Sequence, residues 1–132
     1  AVHGSGPMEI ISSERAPAAV GPYSQAIRSG HLLFCAGMLP LNPETMKIEA
    51  VEIRGQTEQV LANVSAVLAA AGATFANVVK ATVFLKDLGD FAAMNELYAA
   101  AFGGHKPARS TVQVAKLPLD ALVEIEVIAE LS

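Results

Sequence analysis

At 132 residues the chain has the length of a single domain, and its one cysteine excludes an intrachain disulfide and a cysteine-rich metal site. A net charge of −4, a pI near 5.3 and nine scattered basic residues argue against nucleic-acid binding, which uses a basic stripe. Apolar residues make up 52% against 17% charged, at a mean hydropathy of +0.41, yet no stretch reaches the roughly 20 apolar residues of a membrane span.

Surplus apolar surface in a small chain is usually hidden between subunits, so a homo-oligomer is expected. The opening AVHGSGP, residues 1–7, reads as a cloning remnant, with 8–132 as one domain beginning at Met8. No signal-peptide or transit pattern follows Met8, which makes the cytoplasm the expected location.

GPYSQ, Gly21 to Gln25, opens a hairpin in which Gln25–Arg28 and Leu32–Ala36 flank a Ser29-Gly30-His31 turn. Asn42-Pro43 reads as a turn. A long helix follows, about Ile53 to Ala71, with Thr57, Val60, Leu61, Val64, Val67, Leu68 and Ala71 at three-and-four spacing and Gly72 as its stop. Val78 to Lys86 is rich in β-branched residues and reads as a buried strand. Asp90 is placed to cap a second helix, whose stripe is Phe91, Met94, Tyr98, Ala101 and Phe102, ended by Gly103-Gly104. Strands Arg109–Ala115 and Leu122–Leu131 close the chain as a second hairpin. The order ββ–α–β–α–ββ predicts an α+β fold: one mixed sheet with both helices on one face.

Alternation assigns the faces of the last two strands. Val123, Ile125, Val127, Ala129 and Leu131 share the helix side, and Glu124, Glu126, Ile128 and Glu130 the other. On the preceding strand Ser110, Val112 and Val114 form the small and apolar set, opposed by Arg109, Thr111 and Gln113. With both apolar sets against the helices, Arg109, Thr111, Glu124 and Glu126 are expected to meet on the helix-free face. An arginine buried there needs a partner, because a stranded charge costs several kcal/mol. A substrate carboxylate suits it, through a bidentate pair of roughly 1.5–3 kcal/mol.

Other candidates have plainer readings. Cys35 alternates within the first hairpin as a buried, inert thiol. His31 sits in a turn and His105 in a loop, with no carboxylate at ligand spacing, so no metal site is expected. On pattern alone Arg109 is a surface charge, Tyr23 packs in a turn and Asn95 is a helix-surface polar residue.

KPARSTVQVAKLPLDALVEIE resembles the C-terminal signature of the RidA/YjgF family of reactive-intermediate (2-imino acid) deaminases. The likeness extends over APAAVGPYSQAIRSG, LPLNPET, QTEQVLANVSAVLAAAGA and VVKATVFLKDLGDFAAMNELYAAAF, essentially everything after Met8. The resemblance implies a chorismate-mutase-like fold, a mixed sheet with two helices on one face. It also implies a homotrimer with a central barrel-like core and active clefts between subunits.

By the same resemblance Arg109 grips the substrate carboxylate and Glu124 positions or activates water, while Tyr23, Asn95, Thr111 and Ala36 line the cleft. The implied reaction turns 2-aminoacrylate or 2-iminobutanoate into a 2-keto acid and ammonia, with no metal or cofactor. Two departures stand out. Ala36 and Met38 occupy a stretch that usually reads Ser-Gly-Gln, and Thr111 stands where some members carry a cysteine. The rival readings are a non-catalytic module for small keto or amino acids, a specialised deaminase such as the aminomuconate type, and nucleic-acid cleavage.

Overall fold

The computed structural model describes residues 8–132; residues 1–7, read above as a cloning remnant, lie outside the described residues. Strands β1 (Glu9–Ile11), β2 (Ala26–Ser29) and β3 (Leu32–Cys35) precede helix α1 (Ile53–Ala70). Strand β4 (Val78–Leu85), helix α2 (Phe91–Phe102), β5 (Ala108–Gln113) and β6 (Val123–Glu130) follow. The strands form one sheet in the order β1-β2-β3-β6-β4-β5, with only the β4–β5 pairing parallel. This is the α+β fold predicted, with both helices on one face. β1 was not predicted, since three residues are too few for a period of two to show.

The helices match their periodicity. Thr57, Val60, Leu61, Val64, Val67 and Leu68 of α1 are buried, and so are Met94, Tyr98 and Phe102 of α2. They pack on Leu33, Val83, Val123, Ile125 and Val127 from the sheet; each such side chain contributes about 1.5–3 kcal/mol of transfer free energy. The start of α2 differs from expectation. Asp90 holds the N-cap position but makes no side-chain capping bond. A 3₁₀ turn over Leu88–Asp90 runs directly into the helix, and it is Asp87 whose side chain accepts from the Gly89 N–H at 2.7 Å. Gly103 ends α2 in the left-handed region, at φ 57°, with its N–H on Ala99 O.

The first hairpin forms, with Ser29 opposite Leu32. The second does not. β6 slots between β3 and β4, antiparallel to both, and β5 pairs instead with the outer edge of β4. A helix packed on the sheet between β4 and β5 makes that connection a crossover, which returns the chain parallel rather than as a hairpin.

The parallel register corrects the expected faces. Arg109 lies opposite Ala81, Thr111 opposite Val83 and Gln113 opposite Leu85, all three partners belonging to the core on the helix side. Ser110 and Val112 fall with Thr82 and Phe84 on the open side. Glu124 and Glu126, opposite Phe84 and Thr82, are on the open side as predicted. Arg109 and Thr111 therefore do not share a face with Glu124 and Glu126. The open face carries Leu32, Phe34 and Val112, exposed at 37, 43 and 41%.

Candidate active site

Arg109 is the second residue of β5, facing α2. On that helix Phe91, Asn95 and Tyr98 follow at spacings of four and three, which aligns them on one face. Nη1 of Arg109 donates to Asn95 Oδ1 at 2.6 Å. The guanidinium carbon lies 4.7 Å from the Tyr98 ring centroid and 5.5 Å from that of Phe91, contacts worth about 0.5–2 kcal/mol each. Among the described residues no carboxylate forms an ion pair with it. A neutral amide and two rings thus fix the guanidinium while its charge stays available to an anion.

A cavity of about 470 Å³ opens over this group, lined by Asn95, Tyr98, His105, Pro107 and Arg109 among others. His105 Nε2 lies 2.6 Å from Val78 O, as donor, and so pins the loop that leads from α2 to Arg109. The Tyr98 hydroxyl and Thr111 Oγ1 are buried without hydrogen-bond partners. Burial pushes the Tyr98 hydroxyl pKa up, and the Arg109 charge offsets part of that. The guanidinium sits over the Tyr98 ring, so the contact is with the π face. Thr111, two residues along β5, lies on the same side of the sheet as Arg109.

Glu124 belongs to a second cluster. Phe34 pairs with Ile128 and Met38 with Ile125, four residues on one strand against three on the other, so one extra residue bulges in between. Gly37 lies in that bulge against Glu124. A Cβ placed on Gly37 would stand 2.9 Å from the Glu124 carboxyl carbon and closer still to Oε2, a space only glycine leaves free. Burial raises the Glu124 pKa, and Glu126 two residues along the same face adds repulsion. A carboxyl with a raised pKa is better suited to exchanging protons than an ordinary one.

Tyr23, with its hydroxyl accepting from the Val20 N–H at 3.3 Å, lines a cavity of about 360 Å³ together with Gly37 and Met38. Ala36 donates its N–H to Gln25 O at 2.8 Å and packs its methyl on the core. The predicted residues thus form two groups: Arg109, Asn95 and Thr111 on the helix side of an edge strand, and Glu124, Tyr23 and Ala36 around Gly37. Two strand spacings and three residues of register put the Cα atoms of Arg109 and Glu124 on the order of 14 Å apart, with side chains pointing to opposite faces. Among the described residues no three His, Cys, Asp or Glu side chains cluster as a metal site. Cys35 is buried, and burial pushes its thiol pKa up to about 12, which leaves it inert.

A family model described as endoribonuclease L-PSP matches residues 13–131. The chain belongs to the RidA/YjgF family. It is 54% identical over 123 residues to the chloroplastic Reactive Intermediate Deaminase A of Arabidopsis thaliana, covering 93% of this chain and 66% of that one. It is 47% identical over 124 residues to the 2-iminobutanoate/2-iminopropanoate deaminase of Escherichia coli, covering 92% and 96%. The crystal structure of E. coli TdcF with bound serine superposes at a TM-score of 0.90, with 43% identity over 94% of this chain and 98% of that one.

For a RidA-family chain the motif residues now have positions, and sequence reasoning missed three neighbours. Phe91 and Tyr98 were read only as core stripe. Their four-and-three spacing with Asn95 was the available signal that one helix face holds Arg109. Gly37 was passed over because nothing local marks a glycine whose missing Cβ makes room for a glutamate on another strand.

Proposed function

We propose that the protein hydrolyses small 2-imino and enamino acids such as 2-iminobutanoate or 2-aminoacrylate to the 2-keto acid and ammonia. The observation that carries this reading is Arg109, buttressed by Asn95, Phe91 and Tyr98 and facing an open cavity without a carboxylate of its own. The protein is a deaminase.

In the proposed site the guanidinium forks the substrate carboxylate. Glu124 takes a proton from a water as its oxygen bonds to the carbon of the protonated imine, whose nitrogen thereby becomes a neutral amine. Returning that proton to the amine breaks the C–N bond; ammonia leaves and the carbinol oxygen, on losing its own proton, becomes the keto oxygen. The sum is protonated imine plus water giving keto acid plus ammonium, the ammonia taking up the proton that the carbinol oxygen sheds. Arg109 and Glu124 point from opposite faces of one sheet, so the site is completed by a second copy of the chain. A homotrimer with three intersubunit sites is part of the proposal, supported by the apolar open face. A cytoplasmic location is part of it too, and the single unpaired thiol is compatible with it.

A coupled assay of keto-acid release from enzymatically generated imines tests the reading. Wild type accelerates release over buffer, and Arg109→Ala lowers kcat/KM by about 10- to 150-fold, the value of a charge-assisted pair. An Arg109→Ala variant as fast as wild type would sink the mechanism. A second reading, binding of small carboxylates without turnover, is favoured by Ala36, whose methyl offers the cleft no hydroxyl. Calorimetric binding of keto acids with no acceleration of hydrolysis would select it.

A further inference from the structure

The cavity beside Gly37 is larger and more apolar than a three-carbon substrate needs. Val20, Tyr23, Met38, Leu41, Met46 and Leu119 form most of its wall, no charged side chain lines it, and its volume is about 360 Å³. Two of these side chains are placed by backbone that L-residues avoid: Met46 at φ 57° and Leu119 at φ 58°. Both occupy tight turns. Met46 N–H donates to Asn42 O at 2.8 Å, Asn42 N–H to Lys47 O at 2.9 Å, and Asp120 N–H to Leu117 O at 3.2 Å. Either turn would form more easily with glycine or asparagine. Strain of this kind clusters where a particular side chain serves a site. Val20, Tyr23 and Leu119 leave an apolar rim, 73, 53 and 66% exposed.

Gly37 joins this cavity to Glu124. In the deaminase reading above, on which this inference rests, the reacting carbon carries three groups. Its carboxylate goes to Arg109, its nitrogen and the incoming water lie beside Glu124, and its side chain must leave in the remaining direction. We propose that the cavity beside Gly37 receives that side chain, so that the protein prefers 2-imino acids with branched-aliphatic or thioether side chains over three-carbon ones.

Imines generated by an amino-acid oxidase from leucine, methionine and alanine provide the test. In wild type kcat/KM for the leucine- and methionine-derived imines is at least about tenfold above that for the alanine-derived one, in line with the value of extra buried methylenes. Met46→Asn and Leu119→Asn keep a side chain tolerant of the left-handed turn but put an amide in the wall. Each lowers the leucine-to-alanine ratio by about fivefold or more.

Equal rates in wild type, as when a neighbouring subunit fills the cavity, or a ratio unchanged in both variants overturns the inference and leaves the deaminase reading standing. Hydrolysis of no imine faster than in buffer overturns the deaminase reading instead, and thermal protection then judges the cavity. At equal concentration 4-methyl-2-oxopentanoate must raise the Tm more than pyruvate does; an equal or smaller shift overturns the inference.

Discussion

Two neighbouring residues, Gly37 in the bulge after β3 and Glu124 on β6, make the sharpest local predictions. Alanine at Gly37 would press its Cβ against the Glu124 carboxyl, the flexible end of a side chain that can swing away. Gly37→Ala should therefore cost little stability, a Tm shift of about 5 °C or less, but lower kcat by about tenfold or more because the proton-handling group has moved. Retained kcat would mean that Glu124 does not act from this position. Glu124 also carries a pH signature. Its pKa is raised in the folded chain above its ordinary value of 4.5, by burial first and by Glu126 second, so folding takes up a proton between the two values. Its contribution to stability is full below the ordinary carboxylate pKa and is lost as pH rises through the raised one. Glu124→Gln, with no charge to bury, should then unfold at a higher temperature than wild type near pH 7, with the gain vanishing below about pH 4. A gain that persists in acid would place its cause elsewhere. Arg109 was legible from the PARST motif, but its surroundings were not, since nothing adjacent in the chain announces that three residues of α2 hold it.

Elements explain why some of the fold could be read and some could not. The helices and the first hairpin are governed by local periods of 3.6 and 2, and they form where those periods lie. Strand order depends on which distant strand offers a free edge. Sequential strands pair more often than not, so β5 and β6 invited a hairpin that the β4–α2–β5 crossover forbids. The faces of β5 were misread for a related reason: as an edge strand it contains no buried residue, so neither side carries a strong apolar signal. Polar residues with hidden structural work were the other blind spot. Asn63 has no place in the apolar α1 stripe, yet it is fully buried, its Nδ2 donating to Leu39 O and Leu41 O at 2.9 Å each. Gln25 is similar, with its Nε2 on Pro17 O at 2.7 Å and its Oε1 accepting from the Ser13 N–H. Asn63→Leu would improve helix propensity but strand two carbonyls beside the cavity wall, so it should lose about 2–4 kcal/mol in urea unfolding. A neutral or stabilised Asn63→Leu would show that segment 39–41 holds itself in place.

At the scale of the whole molecule, the sheet that separates Arg109 from Glu124 makes subunit exchange a decisive experiment. Arg109→Ala and Glu124→Gln subunits are each expected to be slow, for different reasons. In the proposed ring every site takes its arginine from one chain and its glutamate from the next, through the same head-to-tail contact repeated around the axis. If the two variants are unfolded together in equal amounts and refolded, a site works only where the arginine side comes from a Glu124→Gln subunit and the glutamate side from an Arg109→Ala subunit. Random assembly gives about one such site in four. The mixture should therefore recover about a quarter of wild-type activity, while the same variants refolded apart and then combined stay near the parents' rate. The apolar open face, with Leu32, Phe34 and Val112 exposed, gives the chains reason to associate in the first place. Recovery to a quarter would establish that neighbouring chains share each site. A co-refolded mixture no faster than its parents would mean that Arg109 and Glu124 do not act on one substrate across a subunit boundary.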